Sequence, residues 1–436
     1  MTVDGKLLAD LHDRGLVAQM TGDNGLENHL AEESRTVYCG FDPTADSLHI
    51  GSLVPLLALR RFQIAGHKPI ALVGGATGLI GDPSFKAQER QLNTPDIVST
   101  WTDKIKLQVS QFIDFDAGEI SAEVVNNLDW AEPVSMLSFL RDIGKYFSVN
   151  NMIHKEAVKQ RIEREGAGIS YTEFSYILLQ ALDFAELYQR KNCTLQVGGS
   201  DQWGNITAGI DLARRLHGGQ TFGLTLPIVT KSNGAKFGKT ESGAVWLDPS
   251  RTSPYAFYQF WLNTVDDDVY KFLRYFTFLD LVEIDAIEEA DKSSNDKPQA
   301  QRILAEEVTR IVHGDQGLNA AKRITEALFS GAIDRLSYTD FAQLQQDGLP
   351  FSNLADADLS SEPLTSILVS VGLAKSGKQV KDALMNNAVF VNGASINWDA
   401  NMQCADIFST DKALHNQFFL VKLGKKNYHL LSRQLS

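Results

Sequence analysis

Residues 38–52 read YCGFDPTADSLHIGS. A strand-like run, TVYCGF (36–41), breaks at Pro43, and His49-Ile50-Gly51 then stand where an apolar helical stretch, LVPLLALRRFQIAG, begins. A helix entered this way offers unpaired N–H groups and the positive end of its dipole, which suits phosphate. Gly51 lets a nucleotide approach the backbone, and His49 can hydrogen-bond a phosphate oxygen. A histidine at a helix start also serves as a cap or a surface residue, so the stretch alone leaves both readings open.

Outward from this point, short apolar runs alternate with helical patterns: PIALVGG (69–75), TLQVGG (194–199) and LTLPIVT (224–230). Strands separated by helices favour an α/β fold with a doubly wound, Rossmann-like parallel sheet over residues 1–230, with ligands beyond the carboxyl ends of the strands. Residues 231–247 read as a loop and linker, and 248–345 as amphipathic helices such as YAFYQFWLNTVDDDVYKFLRYF. Residues 346–363, rich in Asp, Ser, Leu and Pro, read as a linker before a small α+β module at 364–436. That module holds eight Lys and Arg against four Asp and Glu. It is therefore +4 within a chain of net charge −13, a basic tail on an acidic body, which suggests a localised contact with a polyanion.

Hydrophobic content of 43% and charged content of 22% over 436 residues fit a soluble, multidomain protein. No apolar run reaches the ~20 residues of a spanning helix, and MTVDGKLLADLHDRG lacks the order of a secretory signal. The expected location is the cytoplasm, with no membrane partner. Cys39, Cys193 and Cys404 form neither a disulfide set nor a metal knuckle, so no metal site is expected.

Two further stretches carry chemistry. KFGKT (236–240) sets two lysines around a glycine, a loop suited to charge on departing phosphates, although solvated loops of this kind are common. In GISYTEFSYILLQALDF (168–184), Ser170 and Glu173 fit a capping box, and Tyr176, Gln180 and Asp183 fall on one face of an otherwise apolar helix. Such a stripe either satisfies internal partners or lines a pocket. GGATGLIGDPS is not a dinucleotide fingerprint. Lys86 and Arg90 of DPSFKAQER read equally as solvated charges or as a second pyrophosphate clamp.

Taken with ALVGGATGLIGDPS, FLRDIGK, LQVGGSDQWGNIT and GAVWLDP, these stretches make the chain resemble the bacterial-type tyrosyl-tRNA synthetases, class I enzymes with HIGH and KMSKS signatures. The resemblance runs from Tyr38 to the C-terminus. It implies that ATP and L-tyrosine form an adenylate, with Mg2+ accompanying ATP and no tightly bound cofactor, before transfer to the 3′ end of the tRNA for tyrosine. His49, Lys236, Lys239 and Thr240, with Lys86 and Arg90, would act on the phosphates. Cys39, Gly40, Asp42, Gly51, Ser52, Gly199 and Asp201 would surround ATP. Tyr38 and Asp183 would bond the substrate phenol; Asp82, Tyr176 and Gln180 would hold its ammonium group, and Gln196 and Gln202 would orient it. Where the family commonly ends the first signature with a second histidine, this chain has the shorter, uncharged Ser52. The helical region would contact the anticodon, and the tail, through Lys378, Lys381, Lys425 and Lys426, another part of the tRNA. Residues 126–192 would be an insertion contributing to a homodimer interface. A tryptophanyl-tRNA synthetase shares the fold and both signatures but not the expected Tyr38/Asp183 pair, and a catalytically idle RNA-binding protein would not need both lysines.

Overall fold

Strand β1 (Gln19–Met20) runs antiparallel to β6 (Phe222–Leu226) at one edge of a six-stranded sheet. The other members, β2 (Thr36–Phe41), β3 (Lys68–Val73), β4 (Glu123–Asn126) and β5 (Cys193–Gly199), pair in parallel with β6 in the order β6-β5-β2-β3-β4. This is a computed structural model, and it describes residues 3–22, 24–84, 92–163, 168–232, 234, 237–240, 243–294, 298–355, 362–399, 404–424 and 427–434. Strands β3, β5 and β6 are buried along nearly their whole length, as parallel strands covered on both faces must be. The expected doubly wound sheet is therefore present.

The helix Leu53–Ile64 packs on β2 and β3, while Trp203–His217 packs on β5 and β6. Because such crossovers are right-handed, progression from β2 to β3 and from β5 to β6 in opposite directions sends the two helices to opposite faces. The order thus reverses between β2 and β5, and a crevice opens beyond their carboxyl ends.

Between β4 and β5 lies the segment that ends in the helix Tyr171–Lys191. The Ser170 hydroxyl accepts the Glu173 N–H at 3.2 Å, and Asn192 closes the helix in the left-handed conformation (φ 51°). Its apolar face, including Leu178, Phe184 and Leu187, enters one core with Tyr38, Ile70 and Leu212. Strands β7 (Lys239–Thr240) and β8 (Gly243–Ala244) form a small antiparallel pair.

The chain divides into two compact units, Met1–Asp248 with Thr264–Leu304, and Pro249–Asn263 with Ala305–Ser436. Residues 248–345, read as one helical domain, are thus shared between them: the helices Asp266–Phe276 and Leu281–Ser293 belong with the α/β sheet. The second unit contains the helices Pro254–Leu262 and Tyr338–Gln346 and most of the helical run Ala300–Ser330, which is broken at Gly314 (φ 67°). It also holds a sheet of β9 (Phe351–Ala355), β10 (Val389–Val391), β11 (Ala394–Ser395), β12 (Phe418–Leu423) and β13 (Asn427–Gln434), in the order β11-β10-β12-β13-β9. Ile324, Phe341 and Leu344 of the helices share a core with Phe418, Leu420 and Leu430 of this sheet.

Within residues 346–363, expected to be a linker, Phe351–Ala355 is a strand that pairs in parallel with Leu430–Gln434, and residues 356–361 lie outside the described residues. Leu354 is the one buried residue of that strand, so backbone pairing rather than an apolar pattern holds it.

Arg161 and Glu173 form an ion pair at 2.7 Å with side chains only 4% and 3% exposed. Removing one partner of such a pair strands the other charge away from water and costs about 3–5 kcal/mol. Glu173→Ala should therefore lower the urea midpoint of unfolding markedly; a change within error would show that Arg161 finds another partner.

Candidate active site

The crevice between β2 and β5 deepens into a cavity of about 800 Å3. Into it come Tyr38, Cys39 and Gly40 from β2, Gln196 and Gly199 from β5, and Tyr176, Gln180 and Asp183 from one face of the Tyr171–Lys191 helix. Asp42, Asp82, Asp201 and Gln202 line it from loops and turns, as do His49, Gly51 and Ser52 at the helix entry. Residues scattered widely along the sequence are thus gathered at the reversal point of the sheet. Lys86, Arg90 and Lys236 lie outside the described residues, as do the side chains of Lys239 and Thr240.

At the helix entry, the Gly51 N–H donates to His49 Nδ1 at 2.9 Å. In the neutral ring this leaves the proton on Nε2, so His49 acts as a cap through one nitrogen while the other is a donor. The capping role is thus present, and the same residue lines the cavity. The HIG backbone is joined to a distant segment: Ile50 N–H donates to Val245 O at 2.9 Å, Leu247 N–H to Leu48 O at 2.9 Å, and Val245 N–H to Gly238 O at 3.0 Å. Gly238 has φ 78° and lies so close to Ile50 that a Cβ would overlap its Cγ2. A glycine in KFGKT is required on both counts. The backbone of the second signature is thereby seated against the first.

Deeper in, two hydrogen-bonded chains fix the polar groups. Tyr176 OH donates to Asp42 Oδ2 at 2.7 Å and Thr77 OH to Asp42 Oδ1 at 2.6 Å. Asn127 Nδ2 donates to Thr77 Oγ1 and to Asp183 Oδ2, both at 3.0 Å, and Trp130 Nε1 donates to Asp183 Oδ1 at 2.8 Å. On the other side, Gln202 Nε2 donates to Asp82 Oδ2 at 2.7 Å, and Asn205 Nδ2 to Gln180 Oε1 at 2.8 Å and Gln202 Oε1 at 3.1 Å. Thr77, Asn127, Trp130 and Asn205 carry no mark in the sequence that sets them apart as site residues.

Burial pushes the Asp183 carboxyl up to about 7, against the downward pull of the Asn127 and Trp130 hydrogen bonds. Burial also raises the Tyr38 phenol well above its ordinary value, with the Asp183 charge adding to it. The Tyr38 hydroxyl and Gln196 Oε1 are buried with no hydrogen-bond partner among the described residues. Buried polar groups are normally paired, so these two atoms suit a polar ligand at the wall. Four carboxylates (Asp42, Asp82, Asp183 and Asp201) around the same cavity suit a cationic group. At the helix entry the Ile50, Gly51 and Ser52 N–H groups, expected to be unpaired, are taken up by Val245 O, His49 Nδ1 and His49 O, so what the entry offers a phosphate is the His49 Nε2–H and the positive end of the helix dipole.

The family model described as tRNA synthetases class I (W and Y) matches residues 30–330, and that of the tyrosine–tRNA ligase SYY-like C-terminal domain matches 340–431. A tyrosine–tRNA ligase of Aliivibrio salmonicida (strain LFI1238) is 60% identical over 430 residues, 99% of each chain. The chain belongs to the tyrosine–tRNA ligases, class I tRNA synthetases. A second member of the family, from Serratia proteamaculans (strain 568), is 58% identical over 98% of this chain and 99% of its own. Among solved structures, a C-terminally truncated Aspergillus nidulans mitochondrial tyrosyl-tRNA synthetase superimposes with a TM-score of 0.67 at 30% identity, covering 74% of this chain and 94% of its own. The C-terminal match begins before β9, in keeping with that strand's place in the second sheet.

Trp130→Phe removes one of the two donors that hold the Asp183 carboxylate. Its pKa should then rise above about 7, which carbon NMR of labelled aspartate carboxyls would detect. An unchanged titration would show that the indole N–H contributes nothing to the ionised form.

Proposed function

We propose that this chain activates L-tyrosine with ATP to form tyrosyl-adenylate and pyrophosphate, then transfers tyrosine to the 3′ end of its cognate tRNA. The observation that carries this reading is the coexistence, in one cavity, of a phosphate-suited helix entry and a buried phenol–carboxylate pair, Tyr38 and Asp183. The substrate phenol would donate to Asp183 and accept from Tyr38, so phenylalanine would leave buried groups unpaired. Loss of such a partner is far more costly than loss of a little apolar contact. Tyrosyl-tRNA synthetases are a known case of rejecting, in this way, a substrate that lacks a hydroxyl.

In our assignment Tyr176, Gln180 and Asp82 hold the α-ammonium group, and Gln196 and Gln202 orient the amino acid. Cys39, Gly40 and Gly199 lie against the nucleotide, and Asp201 takes a ribose hydroxyl. Asp42, expected around ATP, is held by Tyr176 and Thr77, and we assign it to the ammonium pocket instead. The substrate carboxylate is ionised at neutral pH, so attack on the α-phosphorus needs no general base. The chain contributes position and charge: His49 Nε2–H, Lys236, Lys239 and Thr240 stabilise the pyrophosphate as it leaves, with Lys86 and Arg90 assigned to the same task. Magnesium enters as part of the ATP substrate, held by its phosphates.

The reading extends to partners. Met136 and Leu137, both 74% exposed in the insertion between β4 and β5, would be covered by a second copy of the chain. On the helix Gly377–Met385, the Lys381 ammonium lies 5.2 Å from the centroid of the Trp398 ring, with Lys378 one turn earlier. Cations beside an exposed aromatic suit RNA; Lys425 and Lys426, outside the described residues, are assigned to RNA binding from the sequence alone. We place the enzyme in the cytoplasm with its tRNA.

Pyrophosphate exchange measured across the amino acids tests the whole reading: tyrosine should support it, and exchange driven by tryptophan instead would replace the substrate. Lys239→Ala should lower the exchange rate at least about tenfold while tyrosine affinity holds; equal losses in both would remove Lys239 from the phosphate set. Because the phenol donates to ionised Asp183, tyrosine affinity should be constant above about pH 7 and fall as pH drops below it. Titration calorimetry across neutral pH checks this, and a flat profile would mean that Asp183 does not receive the phenol.

A further inference from the structure

The segment that carries KFGKT leaves the sheet after β6 and meets the HIG backbone at Val245, and between these points the two ends of the stretch 232–237 rest on one helix, Asp266–Phe276. At the first end, Asp268 accepts the Ser232 N–H with both carboxylate oxygens, at 3.0 and 3.1 Å, and the Ser232 hydroxyl at 3.3 Å. Lys271 donates to Asp268 Oδ1 at 3.0 Å and to the Thr230 carbonyl at 2.9 Å. At the second end, the Phe237 ring packs edge-on to Phe272, with centroids 5.0 Å apart, and stacks on Phe276 at 5.3 Å. Asp268, Phe272 and Phe276 are spaced four residues apart, so they share one face of the helix. All three are nearly inaccessible to water, Asp268 at 1%.

A buried carboxylate is tolerated only when it is paired and hydrogen-bonded, and Asp268 meets that requirement by gripping the backbone at the root of this segment. The helix is itself tied down: Tyr270 OH donates to Asp291 at 3.2 Å, and Asp291 also accepts the Gln299 and Ala300 N–H groups. Gly234 and Phe237 of the segment line the cavity, whereas Asp268 and Lys271 stand behind them and do not.

We infer that Asp268, with Lys271, is a positioning residue for adenylate formation: it sets where the root of the KFGKT segment stands, and through it where that segment's lysines meet the phosphates. This rests on the assignment of Lys239 to the phosphates made above. The residue acts on the activation step and not on tyrosine recognition, because the groups assigned to tyrosine are held by the separate chains of hydrogen bonds around Asp183 and Gln202.

The test is pyrophosphate exchange in the full chain, with Asp268→Asn, Lys271→Met, Lys239→Ala and the double variants Asp268→Asn/Lys239→Ala and Lys271→Met/Lys239→Ala. Loss of a charged hydrogen bond corresponds to roughly a tenfold to hundredfold lower kcat, and KM for tyrosine should stay unchanged. If Asp268 works through the lysine, its effect should largely vanish in the Lys239→Ala background, since residues acting as a unit are not additive. In Lys271→Met the Asp268 carboxylate keeps its hydrogen bonds from Ser232, so this variant is the milder of the two and should show the same pattern on a smaller scale even if Asp268→Asn unfolds. Fully additive losses, or a rise in KM for tyrosine equal to the fall in kcat, would overturn the inference. If Lys239→Ala alone leaves exchange unchanged, the assignment of the signature lysine fails, and the inference falls with it.

Discussion

Two strands far apart in sequence, β2 and β5, lie side by side, and the chain departs from them in opposite directions across the sheet. Everything at the site follows from that reversal. Helices leaving to opposite faces cannot close over the carboxyl ends of the two strands, so a gap persists there whatever the side chains are. The chain fills its walls with polar groups that the sheet and the Tyr171–Lys191 helix hold in place, and the helix entry after β2 brings the His49 ring and the positive end of the helix dipole to the rim.

Buried charge then becomes the main constraint on what the walls can be. Asp183 has 3% exposure and an elevated pKa, yet two donors from Asn127 and Trp130 keep it within reach of ionisation near neutrality. Those donors sit just past β4, on the opposite side of the insertion from Asp183 itself in sequence. A pocket that discriminates by hydroxyl pairing needs this kind of external support, because a carboxylate left alone in such surroundings would stay protonated.

Much of this was legible in the chain. Alternating apolar runs and helical patterns announced the parallel sheet, and the i, i+4, i+7 stripe of Tyr176, Gln180 and Asp183 marked one helical face correctly because helix period is a local property. HIG and KFGKT could be connected only through family resemblance, since nothing local says that Gly238 abuts Ile50. Thr77, Asn127, Trp130 and Asn205 stayed hidden because their roles depend on partners dozens of residues away. Strand β9 escaped for a different reason: with Leu354 alone buried, it has no alternating pattern to read. The sharing of 248–345 between two compact units was likewise invisible, since amphipathic helices declare that they pack but not against what.

The parallel pairing of β9 with β13 also has a bearing on biosynthesis. Phe351–Ala355 emerges from the ribosome long before Leu430–Gln434, so its edge must wait, unsealed, while the intervening strands and helices are translated. Parallel partners separated this widely must close a long loop before any pairing rewards it, and so assemble slowly. The second sheet is therefore completed late, and nascent chains stalled within its last strand would display an open edge to which other polypeptides could add.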